Sequence, residues 1–289
     1  MTWCEGGSCF QVIERDGNMP LRLSITQGER RGRRVRVRIA IEADSVSDQV
    51  VALMRKRTAT MLRADLDLDE FYKLAAAHDR LAAIPRIGAG RLLRSVSISE
   101  AVIKTICGTN VNWAQAVKMI NRIGQLGPCL KNFRNLNAWP TPAEILAAGE
   151  DYLLNVARVG YRCKSIVAFC RAVREGSFDA EGLDAFAASN DSEQLRKRLL
   201  SIKGIGPAGA HFLLGQLGHF DRVSVDSWTM TYVSGRYLNG RKPTVKQVEK
   251  IYERYGRWRS LVWWFEQWLE WDTARSMLPG RPNMTALQR

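Results

Sequence analysis

Residues 200–214 read "LSIKGIGPAGAHFLL", in which Gly204, Gly206 and Pro207 separate two apolar segments. Glycine permits backbone angles that a side chain would hinder, and it lets another molecule approach the backbone closely. Proline fits the first turn of a helix, where its missing N–H group is not needed. The stretch therefore predicts two helices joined by a tight turn, a hairpin over about residues 195–217.

The start of the second hairpin helix has the properties of an anion site. The first N–H groups of a helix have no intrahelical partner, and the helix dipole favours a negative charge beside them. Such a hairpin can hold a backbone phosphate without reading the base sequence. Glycine turns between helices are also common in other settings, so a purely structural turn is the alternative.

The charge of the chain favours a polyanionic partner. Its 289 residues include 43 Lys and Arg against 29 Asp and Glu, a formal net charge of +14. Such an excess favours nucleic acid, because neutralising phosphates releases counterions. The sequence contains no apolar run long enough to span a membrane, so we expect no membrane partner.

The six cysteines are scattered without the spacing of a metal site. No cysteine follows Cys163 and Cys170 to complete an iron–sulfur cluster, and the three histidines form no zinc pattern with the cysteines. We expect reduced thiols, no transition metal and no required cofactor. The N-terminus lacks a signal-peptide pattern. We therefore expect a cytoplasmic, nucleoid-associated protein in a bacterium or a nuclear protein in a eukaryote.

Hydrophobic periodicity divides the chain into a short β part and a long helical part. Residues 1–45 read as strands, and from Asp48 onward apolar residues recur three and four positions apart, which predicts helices. We therefore predict an α+β protein. Its N-terminal domain (1–85) would contain a small antiparallel sheet, and its second domain (86–289) would be helical.

Three local features are also predicted. In "GRRVRVRIAIEA" (32–43), the arginines of the segment Arg34–Arg38 alternate with apolar residues, so one strand face is apolar and the other is cationic. The cationic face would meet either phosphate or solvent. Residues 67–84 predict one helix followed by a turn at "PRIGAG" (85–90), and Gly108–Asn112 predicts a polar break between two helices.

An isolated acid, Asp226, follows the hairpin in "VSVD" (223–226). Taken alone, such a residue is most simply a helix cap or a turn residue. Its distance from the hairpin suggests a different role.

The segments "LLSIKGIGPAGAHFLL" (199–214) and "VSVD" together resemble the signature of the helix-hairpin-helix (HhH-GPD) DNA glycosylase superfamily. Residues 90–120 are similar to the helices at the start of that family's core, and residues 139–166 are similar to its middle. The N-terminal part is similar to the branch that contains 8-oxoguanine and alkyl-base glycosylases. The resemblance covers nearly the whole chain and implies a two-lobed helical core behind the sheet.

Members of this family flip a damaged base out of the duplex and cut its N-glycosidic bond. The resemblance implies that Asp226 is the catalytic carboxylate, which stabilises the cationic sugar and helps to activate the nucleophile. Bifunctional members carry an attacking lysine in the second hairpin helix. Ala208 stands at that position, and Lys203 lies before the turn. The resemblance therefore implies a monofunctional enzyme that uses water and leaves an abasic site.

The resemblance also assigns backbone roles within the hairpin. Backbone N–H groups that bind DNA phosphate are implied at Gly204, Gly206 and Gly209. Main-chain carbonyls that hold a structural monovalent cation, Na+ or K+, are implied at Leu200, Ile202 and Ile205. That cation would add positive charge beside the phosphate.

Residues that contact the bases are implied in three further segments. In "ICGTNVNWA" (106–114), Asn110 and Asn112 match the wedge that fills the gap left by the flipped base, with helix capping as the alternative. Near the N-terminus, Gly7 matches a glycine that reads the oxidised base. Trp263 and Trp264 could line the base pocket or pack in the core.

The sequence leaves open which lesion is the substrate and which of three activities the protein has. Trp263 lies near a position where the 8-oxoguanine branch has a polar residue, so an alkylated purine is as compatible with the sequence as 8-oxoguanine. The partner is expected to be double-stranded DNA that contains a damaged base, bound by a monomer. The alternatives are a non-catalytic DNA-binding protein that keeps the hairpin, and a glycosylase with weak lyase activity from an amine such as Lys203.

Overall fold

The computed structural model describes residues 2–3, 9–31, 34–43, 45–130 and 136–276. The N-terminal part forms a four-stranded antiparallel sheet in the order β1-β2-β3-β4. Its strands are β1 (Thr2–Trp3), β2 (Cys9–Asp16), β3 (Met19–Arg31) and β4 (Arg34–Glu42). The predicted small antiparallel sheet is confirmed. Gly7, the predicted base-reading residue of this part, lies outside the described residues.

Alternation of side chains gives the two middle strands a buried face. Val12 of β2 is paired with Leu23 of β3, which is in turn paired with Ile41 of β4. Both Val12 and Leu23 are buried, as strand alternation predicts for a sheet with one covered face.

The expected apolar face of β4 is only partly covered. Val35 and Val37 are 42% and 40% exposed, whereas Ile39 is half-buried. β4 is the last of the described strands in the sheet order and pairs with β3, and this pairing shifts between Gln27 and Arg30 of β3. The apolar face of β4 is therefore exposed at Val35 and Val37.

Helices make up the rest of the described chain. They are α1 (Asp48–Met61), α2 (Asp69–Ala76), α3 (Ala83–Ile87), α4 (Ile98–Cys107), α5 (Trp113–Gly124), α6 (Pro142–Asp151), α7 (Cys163–Arg174), α8 (Leu183–Ser189), α9 (Ser192–Leu200), α10 (Pro207–Gln216), α11 (Ser227–Tyr237), α12 (Val245–Glu253) and α13 (Arg259–Ser276). A π-helical turn spans Tyr152–Val156, and 3₁₀ turns span Gly160–Arg162 and Gly256–Trp258. The predicted α+β class with a helical core is confirmed.

The predicted helix boundaries are confirmed at two places and wrong over 67–90, where residues 85–87 lie in α3 and not in the predicted turn. The break at Gly108–Asn112 separates α4 from α5, and the hairpin consists of α9 and α10. The single helix predicted over 67–84 is instead α2 and α3, separated by a turn in which His78 Nδ1 accepts a hydrogen bond from the backbone N–H of Arg80 (3.2 Å). Local side-chain bonding of this kind competes with helical continuation.

The chain forms two compact units, and each is discontinuous in sequence. Unit 1 comprises residues 1–61, 95–183 and 202–204, and unit 2 comprises residues 62–94, 184–201 and 205–289. The sequence predicts a single boundary between residues 85 and 86. That boundary stays a prediction.

Unit 2 contains an aromatic core that surrounds one buried carboxylate. Glu266 of α13 accepts hydrogen bonds from Tyr237 Oη (2.7 Å) and Tyr252 Oη (2.9 Å), and its Oε1 lies 3.2 Å from His78 Nε2. Burial raises the pKa of both tyrosines, and the nearby carboxylate of Glu266 raises it further. Because a buried carboxylate is costly unless it is hydrogen-bonded, these bonds fasten α11 and α12 to α13.

Candidate functional site

Asp226 lies at the N-terminus of α11 and caps that helix. Its Oδ1 accepts a hydrogen bond from the backbone N–H of Thr229 at 2.8 Å, and its backbone is extended. The side chain is exposed. Among the described residues the other carboxylate oxygen, Oδ2, has no hydrogen-bond partner, so one oxygen of the carboxylate caps the helix and the other is unpaired.

A chain of hydrogen bonds connects this cap to the second hairpin helix. Thr229 is fully buried, and its Oγ1 donates to the carbonyl of Ser224 (3.0 Å) and accepts from Trp263 Nε1 (3.2 Å). The hydroxyl of Ser224 donates to the carbonyl of Ala208 in α10 (2.9 Å). The first turn of α11, and with it Asp226, is thereby fixed relative to α10.

The two hairpin helices are joined by a buried histidine. His211 of α10 contacts the carbonyl of Val223 through Nδ1 (2.8 Å), and its Nε2 accepts from Arg196 Nε of α9 (3.2 Å). Because a carbonyl only accepts and Arg196 only donates, the imidazole is neutral with its proton on Nδ1. Burial lowers the pKa of His211, and the positive charges of Arg196 and Arg222 act in the same direction.

The N-terminus of α10 has no side-chain cap. Gly206 occupies the cap position with an extended backbone and is exposed, and Pro207 has no N–H group. The first backbone bond of the helix runs from the N–H of Ala210 to the carbonyl of Gly206 (2.9 Å). The N–H groups of Ala208 and Gly209 precede this bond, so they have no intrahelical acceptor and can bind an external anion.

The turn of the hairpin requires glycine at one of its two exposed glycine positions. Gly204 has φ +91°, and a Cβ there would lie 2.8 Å from the Cβ of Ser165. At Gly206 a Cβ would meet nothing within 4 Å. Gly204 is therefore needed for the conformation and packing of the turn, whereas Gly206 leaves open space at the helix start.

The carbonyls predicted to hold a cation come from the same turn. Leu200 ends α9, and Ile202 and Ile205 flank Gly204 with buried side chains. Among the described backbone bonds outside the helices, none is donated to these three carbonyls. The monovalent cation at these carbonyls stays a prediction. Within the described part of the chain no group of three or more His, Cys, Asp and Glu side chains could hold a metal ion.

The predicted wedge residues lie in unit 1, on the turn between α4 and α5. Asn110 is exposed with φ +48°, and its Nδ2 makes a long hydrogen bond to Tyr161 Oη (3.4 Å). Asn112 caps α5, because its Oδ1 accepts from the backbone N–H of Gln115 (2.9 Å). The capping alternative therefore applies to Asn112, while the amide of Asn110 projects from the loop. The wedge role of both stays a prediction.

Two exposed aromatic residues beside this turn were missed by the sequence reasoning. Trp113, the first residue of α5, is 77% exposed, and Tyr161 is 63% exposed. Each is adjacent in sequence to a polar or glycine-rich turn, which is the only local signal that could have identified it. Exposed aromatic rings beside a polar loop are suited to stack on bases.

The predicted pocket tryptophans differ in burial. Trp263 is buried, and its indole N–H is used on Thr229. Trp264 is half-buried, with its ring 6.5 Å from that of Phe212. In this conformation Trp263 supports the turn that carries Asp226. A place for either ring in a base pocket stays a prediction.

No family model matches the sequence, and no curated protein matches it either. Solved structures do match. The 3-methyladenine DNA glycosylase from Archaeoglobus fulgidus is 20% identical with a TM-score of 0.69, over 91% of this chain and 88% of that one. MBOgg1, solved with a low-affinity DNA ligand, is 17% identical with a TM-score of 0.69, over 93% of this chain and 91% of that one.

A third structure also matches over most of both chains. The Clostridium acetobutylicum 8-oxoguanine glycosylase/lyase, solved with DNA that has cytosine opposite 8-oxoguanine, is 17% identical with a TM-score of 0.62, over 94% of this chain and 90% of that one. At these identities the likeness establishes the fold. The chain has the fold of these DNA glycosylases, and the predicted resemblance is confirmed at that level.

Proposed function

We propose that the protein is a monofunctional DNA glycosylase, which flips a damaged or modified base from duplex DNA and hydrolyses its N-glycosidic bond. The observation that carries this proposal is the position of Asp226. Its carboxylate is exposed, has one free oxygen, and is fixed through Thr229 and Ser224 to the hairpin helix α10. The glycosylase fold of the chain supports the same activity.

The free oxygen of Asp226 can carry out the chemistry of this reaction. As the C1′–N bond breaks, positive charge develops on the sugar, and a nearby carboxylate stabilises it. Water then adds to C1′, and its proton passes through the carboxylate to the departing base. The products are a free base and an abasic site.

Water is the proposed nucleophile because the second hairpin helix offers no amine. Ala208 stands where the resemblance places the lysine of bifunctional members, and its carbonyl accepts from Ser224. Lys203 is exposed on the turn before α10. A methyl group at residue 208 cannot form a Schiff base with the sugar.

The hairpin is the proposed contact to the DNA backbone. The N–H groups of Ala208 and Gly209 are free of intrahelical partners, and the net charge of +14 favours binding of DNA. We propose that a phosphate lies at the start of α10, beside a monovalent cation held by the turn, and that Asn110 fills the gap left by the flipped base. The protein would act as a monomer.

A non-catalytic DNA-binding protein is the second candidate, and one observation favours it. Asp226 caps α11, and aspartate is among the residues preferred at that position for its cap alone. A protein that only binds DNA could keep the acid for folding. The two candidates therefore differ in whether the free oxygen of Asp226 takes part in a reaction. A measurement of base release distinguishes them.

The test compares two capping aspartates of unit 2. Duplexes that each carry one lesion, including 8-oxoguanine, 3-methyladenine and 7-methylguanine analogues, hypoxanthine and uracil, are incubated with the protein, and released bases are measured by mass spectrometry. Asp226→Asn keeps a capping oxygen, and we expect it to lower excision by about 10³-fold or more while DNA binding persists. Asp191 caps α9 through a 2.8 Å bond to the N–H of Gln194.

Asp191→Asn is the matched control and should release the base at the wild-type rate. Equal excision by wild type and Asp226→Asn would remove Asp226 from the mechanism. Binding without release of any base by the wild type would favour the non-catalytic candidate.

Lyase activity is tested separately, on duplexes that contain an abasic site. Only an amine nucleophile forms a Schiff base that borohydride reduces to a covalent adduct. We expect no adduct with the wild type. An adduct that disappears in Lys203→Gln would instead assign weak lyase activity to Lys203.

A further inference from the structure

A cleft in unit 1 concentrates positive charge beside the turn that carries Asn110. It has a volume of about 350 Å³, and its lining includes Lys118, Arg122, Arg158 and Arg162 together with Gln115. No acidic side chain lines it within the described residues. Its volume lies in the lower part of the range of ligand clefts, roughly 300–1,000 Å³.

Three of these cations have no anionic partner in the part of the chain that the structure describes. Among the ion pairs of the described residues, none involves Lys118, Arg122 or Arg158. Lys118 and Arg122 are four residues apart on α5, so they lie on the same helix face. Like charges at this spacing repel each other and destabilise a helix. The arrangement therefore costs stability unless an anion neutralises it.

Arg158 has an unfavourable backbone conformation, which is a second local cost of the cleft. Its φ is +58°, a left-handed conformation that favours glycine. Arg158 lies just beyond the end of the π-helical turn Tyr152–Val156. Glycine is the usual residue at a helix end that adopts a left-handed conformation. Backbone strain of this kind is commonly retained at functional sites. An arginine at this position places its charge in the cleft at the expense of the backbone.

The walls of the cleft are held by the protein itself. Arg162 is buried, and its guanidinium donates to the carbonyls of Thr109 (3.1 Å) and Val159 (3.3 Å). Tyr152 Oη donates to the carbonyl of Arg122 (2.8 Å). These bonds connect α5, the turn before it and the segment around Arg158, so the backbone that carries these cations is already fixed in the free protein.

We infer that this cleft binds backbone phosphate of DNA, on the strand that carries the base left unpaired by flipping. The inference rests on the proposed function, because it uses Asn110 as the residue that meets that base. Asn110 directly precedes Val111, which lines the cleft. A phosphate beside the unpaired base would therefore meet Lys118, Arg122 and Arg158.

The experiment measures affinity for a duplex that contains a tetrahydrofuran abasic analogue, which needs no knowledge of the lesion. Each phosphate contact contributes a slope of about −0.9 to log K against log salt. For Lys118→Gln/Arg122→Gln we expect this slope to become shallower by about one to two, with a loss of affinity of about tenfold at physiological salt. The control is Arg171→Gln/Arg174→Gln, which removes two exposed cations of α7 and the same net charge. An equal change in the control would overturn the inference.

Arg158→Gly separates binding from folding. It removes the charge and relieves the left-handed backbone, so we expect an unchanged or higher thermal unfolding midpoint together with weaker DNA binding. A lower midpoint, or an unchanged affinity, would contradict the role given to Arg158.

The strand is identified with single neutral methylphosphonates placed on each side of the unpaired base, or at matching positions of the other strand. We expect substitutions opposite the abasic analogue to weaken wild-type binding and to have little effect on Lys118→Gln/Arg122→Gln. If only methylphosphonates on the strand that carries the abasic analogue weakened wild-type binding and had little effect on the double variant, the strand assignment would be wrong. None of these measurements uses excision, so an inactive protein can still confirm the cleft, and an active glycosylase with an unchanged salt slope would refute the cleft alone.

Discussion

Two turns of the molecule join helices in opposite ways. The turn at 108–112 ends in Asn112, whose side chain caps α5, and it exposes Asn110 with Trp113 directly after it. The turn at 201–206 ends in Gly206, which offers no side chain, and the first N–H groups of α10 are left without an intrahelical acceptor. We call the start of α5 closed, because a side chain caps it and other side chains are exposed beside it. We call the start of α10 open, because its first backbone N–H groups have no side-chain cap.

This difference separates two kinds of recognition. Side chains can fill a gap in the base stack or stack on a base, whereas backbone N–H groups bind phosphate whatever the base. The first turn is therefore suited to the place where one base is missing, and the second to the continuous backbone. Four substitutions test the comparison.

The largest expected effect is a loss of stability when Gly204 is replaced, in the turn that precedes the open start of α10. Gly204→Ala combines a left-handed φ of +91° with a contact of 2.8 Å to the Cβ of Ser165. We expect a loss of about 2–3 kcal/mol in the free energy of unfolding, measured by urea denaturation. Gly206→Ala is the control and should lie within about 0.5 kcal/mol of wild type. Equal effects of the two changes would show that Gly204 has no special role in the turn.

The second substitution tests the open start of α10 by giving it a side-chain cap. Gly206→Asp adds a cap where a Cβ meets nothing within 4 Å, and it places a negative charge where phosphate is proposed to bind. We expect unchanged or slightly higher stability and about tenfold weaker DNA binding. Fluorescence anisotropy with duplex DNA measures the affinity, with Gly206→Ala as the uncharged control. Wild-type affinity of Gly206→Asp would rule out a phosphate at this helix start.

The third change opens the closed helix start. Asn112→Ala removes the 2.9 Å cap bond to Gln115, and we expect it to lower the free energy of unfolding by about 1 kcal/mol. Asn112→Asp keeps a capping oxygen and should retain the stability. If both variants were equally destabilised in thermal unfolding, the cap would not be the reason.

The smallest effect concerns the joint between the hairpin helices. Burial lowers the pKa of His211 below its ordinary 6.5, so the unfolded chain binds more protons at this residue than the folded protein does. The stability that His211 contributes is present above pH 6.5 and is lost as the pH falls below that value.

His211→Asn can still donate to Val223 but does not titrate. We therefore expect the wild type to lose stability more steeply than this variant as the pH falls from about 7 to about 5, in urea titrations at each pH. Parallel curves for the two proteins would contradict a neutral buried His211.

The sequence predicted the features that local chemistry determines. Glycine and proline between apolar runs predicted the hairpin, and polar residues predicted the break before α5. The helix α11 was not predicted, although Asp226, which caps it, was recognised as a possible helix cap. Its first turn is also held by Trp263, 34 residues beyond Thr229, and such a distant contact has no local signal. The exposure of Val35 and Val37 in β4 could not be predicted, since alternation reveals which residues share a face but not what covers it.

The same limit applies to the candidate site. The resemblance indicated a catalytic role for Asp226, and the local sequence indicated a helix cap as the alternative. The sequence could not show that the cap uses only one of the two carboxylate oxygens. The sequence does not single out Arg158, because its left-handed conformation arises from the helix end that precedes it.

On the proposed function, Asp226 both caps α11 and carries out the chemistry, and this pairing has a consequence for how such a protein changes over generations. Asparagine, serine and threonine cap helices about as well as aspartate, so a single substitution at residue 226 can remove the chemistry and leave a chain that folds and binds DNA. Loss of activity would then be invisible to any selection on folding. Among descendants of this protein, the residue at position 226 would distinguish working enzymes from folded, DNA-binding proteins without activity, and the rest of the sequence would not.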